Sequence, residues 1–304
     1  STSTSTTRSP WAASAPGRVE PRGGLLRLSP ASMGRVTALP VKLNEKVVEG
    51  QLLLVMEDKD ARAKLTAAEA AAAASKRERD AAPATAGRES LVRAEDALYA
   101  AERAHTLARI ELDDAMLVTP PSPNVPNLRK RVTDTADRVR QETSNYNAAS
   151  RNNTAAPGRG DSAVIAARAD VMLADQAWDR TRIRAPQAGT ILQINAKVGE
   201  VLAPSPEQVA FTMGDVTRLR VRAEVDETEV SKVRVGGSVF VKNAAFPGQE
   251  FEGKVTEMAP LLAIPRMNAR SPRRPNDVEV MEVMIELEGG INLTPGMRVD
   301  AFFR

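Results

Sequence analysis

From Leu91 the small and apolar positions run Leu91, Ala94, Leu98, Ala101, His105, Ala108, Leu112 and Ala115, in steps that alternate between three and four. That alternation is a heptad seam. It under-winds a helix slightly so that one stripe stays against a partner, and it predicts a left-handed coiled coil. A second seam runs Leu128, Val132, Thr135, Val139, Glu142, Tyr146 and Ala149. Between the two lies Val118-Thr119-Pro120-Pro121-Ser122-Pro123-Asn124-Val125, with Pro126 directly after it. Prolines at this density cannot continue a helix, so the stretch is a turn. Ser122 or Asn124 is placed to cap the second helix, and a proline is tolerated in its first turn. Ala61 to Ala82 is alanine-rich, a strong helix former that lets a partner approach closely. Val164, Ala167, Val171, Ala174 and Trp178 give a matching stripe on the returning side. Residues 59–182 therefore read as one long helical hairpin.

Each arm is interrupted, at Pro83 to Gly87 going out and at Asn152 to Asp161 coming back. Pro83 lies as far after Asp58 as Gly158 lies before Ile183, so the breaks sit level. Two geometries are open: a hairpin with a joint, or a chain folded back into a shorter bundle of four helices. The jointed hairpin is preferred here. An arm of about 60 residues would then reach roughly 90 Å at a rise of 1.5 Å per residue.

The flanks alternate at period two. Gly34 to Asp58 carries short β-rich runs divided by polar turns at Asn44-Glu45 and Glu49-Gly50, and Gly189 to Asp215 repeats the layout. Both segments open on glycine and close on Met-x-Asp, at Met56 to Asp58 and Met213 to Asp215. They read as two halves of one β-domain held apart by the hairpin. Ala15 to Leu28 adds one or two short strands. Arg218 to Val225, Val239 to Val241, Phe251 to Met258 and Val278 to Leu287 are further strands. Asp226 is placed to cap a short helix reaching Val233, and turns fall at Gly236-Gly237 and Phe246-Pro247-Gly248. Many short strands with turn residues between them predict a small closed antiparallel barrel, which leaves no exposed edge.

Composition narrows the class. Aromatic residues make up only 3% of the chain, which suits long helices and small β-domains better than a large globular core. There is no cysteine, hence no disulfide framework, thiolate metal site or cysteine nucleophile. That usage suits a periplasmic or secreted protein. Net charge is +3, with both signs interleaved along the helices; this reads as a solvated coiled-coil surface and argues against nucleic acid as a partner. Ser1 to Pro10 is Ser/Thr-rich without an apolar core, so residues 1–14 are read as a linker and not as a signal peptide. No window approaches the 18 apolar residues of a membrane span, which puts any inner-membrane anchor upstream.

The passage Trp178-Asp179-Arg180-Thr181-Arg182-Ile183-Arg184-Ala185-Pro186-Gln187-Ala188-Gly189-Thr190-Ile191 resembles the Thr-x-Ile-x-Ala-Pro-x-x-Gly-x-Val return from hairpin to lipoyl domain in membrane fusion proteins. These are the periplasmic adaptor subunits of efflux and secretion systems, the HlyD-like family. Gly34-x-Val36, Val47-x-x-Gly50-x-x-Leu53 and Asp58 resemble the first half of a biotinyl/lipoyl domain, and Thr294-Pro295-Gly296-Met297-Arg298-Val299 resembles the family's closing strand. The resemblance spans the chain from about Ala15. It implies an elongated α+β protein: a coiled-coil hairpin (59–182) inserted in a split lipoyl/biotinyl-like β-domain (34–58 and 183–215), followed by a small antiparallel β-barrel (15–33 and 216–304). It implies an inner-membrane transporter and an outer-membrane channel as partners, and self-association into a ring, hexameric in the family. Asn276 to Val283 looks more like adaptors of ABC-type exporters. By geometry, Val118, Thr119, Pro120, Pro121, Ser122, Pro123, Asn124 and Val125 would be the hairpin tip that meets the channel. In drug-efflux relatives the tip contact uses Arg-x3-Leu-x6-Ser. Arg103 and Leu107 fit its start, but Asp114 stands where serine is expected.

Candidate chemistry is sparse. Glu57-Asp58-Lys59 resembles the lysine hairpin of lipoyl carriers, but a carrier needs that lysine on a tight exposed β-turn, and here a helix follows. A carrier using Lys59 and a free-standing coiled-coil protein of the envelope are the alternative readings. His105 is the sole histidine, so any histidine base would have to use it. It sits on the seam, where it reads as a packed interhelical residue with Glu142 as a possible partner. Met281 and Met284 lie three apart on a strand and point to opposite faces, which argues against a copper site. Arg266, Arg270, Arg273 and Arg274 form a basic loop, either simply solvated or docking to an inner-membrane partner or acidic lipid heads. No catalytic, cofactor or metal residue is assigned, and the chain is not read as an enzyme.

Overall fold

The computed structural model describes residues 10–267, 279–289 and 292–304. The chain opens with β1 (Ala13–Pro21), β2 (Leu26–Leu28), β3 (Gly34–Ala38), β4 (Lys46–Val47) and β5 (Leu52–Met56). Four helices follow: α1 (Lys59–Ala81), α2 (Glu89–Leu117), α3 (Val125–Arg151) and α4 (Arg159–Asp179). Then come β6 (Arg182–Arg184), β7 (Gly189–Ile194), β8 (Val201–Leu202), β9 (Phe211–Gly214) and β10 (Leu219–Asp226). A short 3-10 helix (Glu227–Lys232) leads to β11 (Ser238–Lys242), β12 (Phe251–Ala263), β13 (Val280–Leu287) and β14 (Arg298–Phe303).

The two lipoyl-like segments interlock. Their strands form two sheets, ordered β2-β9-β7-β4 and β6-β5-β3-β8, so strands from before the helices pair with strands from after them. Asn44, Gly50 and Gly199 take positive φ at the tight turns that make this possible. Leu52 to Met56 is buried at every position, which is why β5 reads as a continuous apolar run and not as an alternation. Val36, Leu53, Leu54, Met56, Ile191, Phe211 and Met213 make up the centre of this core.

β1, β10, β13, β12, β11 and β14 close into an antiparallel barrel. Strand β1 shows strict alternation, with Ala13, Ala15, Gly17, Val19 and Pro21 facing inward. At Gly17 a Cβ would stand 2.5 Å from Val221 Cγ1, so only glycine lets β1 lie this close to β10. Asp226 caps the 3-10 helix as expected, its carboxylate accepting from the Thr228 N–H at 2.8 Å.

Two boundaries differ from the sequence reading. Trp11 packs on Phe240 and Phe302, and β1 begins at Ala13, so the chain enters the barrel before residue 15. Strand β2 pairs with β9 of the lipoyl-like sheets and does not join the barrel. Sheet membership depends on a partner some 180 residues away, which local alternation cannot specify.

The larger difference concerns the helices. Leu65, Ala72, Val171 and Ala174 pack α1 against α4, as the stripes predict. Helix α2 does not continue outward from α1, however. It returns beside it, and the preferred extended hairpin gives way to a folded four-helix bundle. Arg79 reaches Asp96, Arg103 reaches Glu69, and Arg62 reaches Asp114, which together trace α2 running antiparallel to α1 along its full length. Arg168 with Asp96, Thr106 with Asp175, and Arg184 with Asp113 trace it parallel to α4. Helix α3 lies on the outer side of α2, where only Leu128 and Glu142 of its own residues are buried. With its longest helix at 29 residues, the bundle is roughly 40 Å long.

Candidate docking surfaces of the helical bundle

The ends of the bundle are set by its folding back. At the base, next to the sheets, Asp113 is fully buried and accepts from Arg182 Nε at 2.9 Å and from both terminal nitrogens of Arg184, at 2.9 and 2.8 Å. Asp58, which ends the first lipoyl-like half, lies 3.0 Å from Arg182 Nη2 and 2.8 Å from Arg62 Nε. Burial pushes the Asp58 carboxyl up, but the Arg62 hydrogen bond and the Arg182 and Arg62 charges outweigh it and hold it below its usual range. Trp178 is fully buried beneath this network, with the Arg182 guanidinium 4.3 Å from its ring centre. The charged positions of β6, Arg182 and Arg184, thus tie sheet and bundle together.

At the opposite end, residues 82–88 meet residues 152–158. Thr85 lies against Gly158, where a Cβ would come within 2.4 Å of its hydroxyl. Arg88 is only 4% exposed; it donates to the Ala155 carbonyl at 3.2 Å and pairs with Glu95 and Asp161. Asp161 in turn accepts from the Gly158 N–H at 3.1 Å. Residues 82–87 and 152–158 carry no charged side chain, in a chain that is 27% charged. The far end is therefore a small-residue, uncharged surface.

The level breaks in the sequence are borne out by these contacts, but they mark the far end of the bundle and not its waist. Val118 to Val125, read as the tip, lies instead at the base. Just before it, Leu112 and Met116 share a cleft with Val48, Glu49 and Leu52 of the lipoyl-like sheets and with Arg129 and Val132 of α3. The signal for the fold-back is a second stripe on α2, Glu95, Tyr99, Glu102, Thr106, Arg109 and Asp113, at the same three-four spacing as the first.

No family model matches the chain. Over 83 residues it is 30% identical to the macrolide export protein MacA of Shigella flexneri, a stretch covering 27% of this chain and 22% of MacA's own length. Over 239 residues it is 28% identical to the multidrug resistance protein MdtN of Shigella flexneri, covering 74% of this chain and 67% of MdtN. The crystal structure of MacA from Actinobacillus actinomycetemcomitans superposes with a TM-score of 0.58 at 16% identity, covering 96% of this chain and 78% of that one. The chain shares its fold with that MacA structure.

Within that shared fold the remaining candidates fall as follows. Lys59 is the first residue of α1 and its N–H lies 3.3 Å from Glu57 Oε1, so it is not on the exposed β-turn a carrier requires. His105 is half-buried with Nδ1 2.9 Å from Thr135 Oγ1, so its partner is Thr135 and not Glu142. Arg131 meets Glu111 on one side of this contact, and on the other side Glu142 stands about two turns beyond Thr135 along α3, paired with Arg138. Burial first, and the Arg109 charge second, hold the imidazole below its usual range. Met281 pairs across from buried Val225 and Met284 from Arg222, on opposite faces of β13. Arg266 opens the basic loop, and its N–H donates to the buried Glu224 carboxylate at 3.0 Å. Arg270, Arg273 and Arg274 lie outside the described residues. Among the described residues no group of three or more His, Cys, Asp or Glu is arranged to hold a metal, and no helix is long and apolar enough to cross a membrane.

Proposed function

We propose that this chain is the periplasmic adaptor of an envelope-spanning efflux or secretion system, bridging an inner-membrane transporter and an outer-membrane channel. One observation carries the reading: a helical bundle rises from between two paired strands, β5 and β6, of a split lipoyl-like unit that leads directly into a closed barrel. This builds a spacer with a broad β base and a narrow far end. Its task is to hold two membrane components at a set distance, with no reaction of its own. Copies would pack side by side through their β units into a ring, six-fold as in the family. The loop that includes Arg266, Arg270, Arg273 and Arg274 is assigned to the inner-membrane side, where four guanidiniums suit acidic residues of a transporter or acidic lipid heads. An ABC-type transporter is the favoured partner, from the Asn276 to Val283 passage.

In the folded bundle the uncharged loops 82–87 and 152–158 are the surface held toward the channel. Photo-crosslinking in the native envelope tests this, with the probe at Ala86 in one strain and at Ser122 in another. Capture of an outer-membrane channel subunit from either position is the expected result. If both probes capture only this chain or soluble proteins, at normal expression, the bridge reading fails and a free-standing coiled-coil protein of the envelope replaces it.

A further inference from the structure

The bundle is two coiled-coil pairs laid against each other, and the two kinds of interface differ in chemistry. Within α1 and α4 the seam is Leu65, Ala68, Ala72, Ala167, Val171 and Ala174. Within α2 and α3 it is the pair of heptad runs that begin at Leu91 and Leu128. Between the pairs the contact is largely ionic: Arg62 with Asp114, Arg79 and Arg168 with Asp96, and Arg103 and Arg109 with Asp175. Tyr99 and Ile110 are its main apolar contribution, and Tyr99 itself lies beneath the guanidinium of Arg168 at 4.4 Å.

We infer that the two pairs are separable, and that the bundle opens about the loops at 82–88 and 152–158 into a hairpin of about twice the reach. Three observations support this. First, the interface between the pairs is incompletely satisfied: the Nε atoms of Arg103, Arg109 and Arg168 are buried without a hydrogen-bond partner. Unmet buried donors are rare in a surface made to stay shut, and water would satisfy every one of them on opening. Second, the two loops are level, with Thr85 against Gly158 and Gly87 against Ala155. Both arms can therefore unbend together, and neither apolar seam has to slide. Third, the stripe exposed by opening is Glu95, Tyr99, Glu102, Thr106, Arg109 and Asp113, which is polar enough to stand in water. Opening would place α2 beyond α1, extend the helical part from roughly 40 to roughly 80 Å, and carry Val118 to Val125 from the base to the far end. This inference concerns the purified chain and holds whether or not the partners proposed above are correct.

The chain has no cysteine, so spin labels can be placed cleanly at Glu49→Cys and Thr133→Cys, which line one cleft in the folded bundle. Pulsed electron resonance would be read from low to high salt, together with helix content by circular dichroism. The expected result is a short distance that loses amplitude to a long one as salt rises, with helix content unchanged. Adding Asp113→Ala to the labelled pair should shift the balance further toward the long distance. A bismaleimide bridge between Arg62→Cys and Asp114→Cys should prevent the rise in maximum dimension, about 40 Å, seen by small-angle scattering. A single short distance at every salt concentration overturns the inference. So does a loss of the short distance that tracks a loss of helix, because that is unfolding. The salt series on the labelled pair alone decides the matter if Asp113→Ala does not fold.

Discussion

Replacing Trp178 with alanine tests the root of the bundle. The side chain is fully buried where α4 hands over to β6, with guanidiniums of Arg182, Arg109 and Arg184 at 4.3, 5.5 and 5.9 Å from its ring. Burying an indole removes about 200 Å² from water, worth about 5 kcal/mol at 25 cal/mol per Å². A desolvated cation over the ring adds about 1–2 kcal/mol, and here Arg182 has no side-chain exposure of its own. Partial collapse of the site returns some of this, so Trp178→Ala should cost about 4 kcal/mol, within the usual range for emptying a large core site. Trp178→Phe keeps most of the apolar area and should cost about 1–2 kcal/mol. Urea unfolding followed through helix ellipticity measures both. A cost below 1 kcal/mol for the alanine variant would refute the packing described for this root.

Three further expectations follow from the same contacts. Burial raises Glu95 and Glu102 above the usual 4.5, whereas Asp58 and Asp96, despite burial, are held below 3.8 by their arginines. The raised pair penalises the folded state at neutral pH and the penalty fades as pH falls toward their pKa; the lowered pair stabilises above 3.8 and that contribution is lost below it. Helix stability should thus peak in mild acid and fall at lower pH, and Glu95→Gln with Glu102→Gln should flatten the rise but keep the fall. Gly17→Ala should destabilise the barrel by about 1–3 kcal/mol through overpacking against Val221, read as a lowered midpoint of the β-sheet transition. His105→Leu should change stability by no more than about 1 kcal/mol, because Thr135 keeps its bond to the Arg131 carbonyl; a larger loss on thermal melting would mean that the imidazole carries more than its seam position.

Both heptad seams, the level breaks, the interlocking halves and most strands were legible, because each rests on local spacing. The direction taken by α2 was not. Its second stripe has the right period but the residues of a solvated face, and Glu95, Glu102, Arg109 and Asp113 look the same whether they meet water or a facing arginine. The docking assignment of Val118 to Val125 inherited that ambiguity, since a turn marks the far end only if the arms are straight. The membership of β2 and the partner of His105 were lost for a related reason. Each depends on register against a distant segment, which periodicity leaves free. Arg88 could have been singled out: an arginine between a glycine and a helix start, with Glu95 two turns on, is placed to bind a neighbouring loop.

Only Glu57 and Asp58 separate β5 from α1, and only Arg180 and Thr181 separate α4 from β6. While the bundle is folded, two such short tethers, side by side on paired strands and clamped through Asp113, leave it little freedom to swivel on its sheet. It behaves as a lever arm and not as a pendulum. Over roughly 40 Å of helix, each degree of tilt in the lipoyl-like unit displaces the far loops by roughly 0.7 Å. A small rocking of the β base is thus delivered at the other end as a movement large enough to make or break a contact.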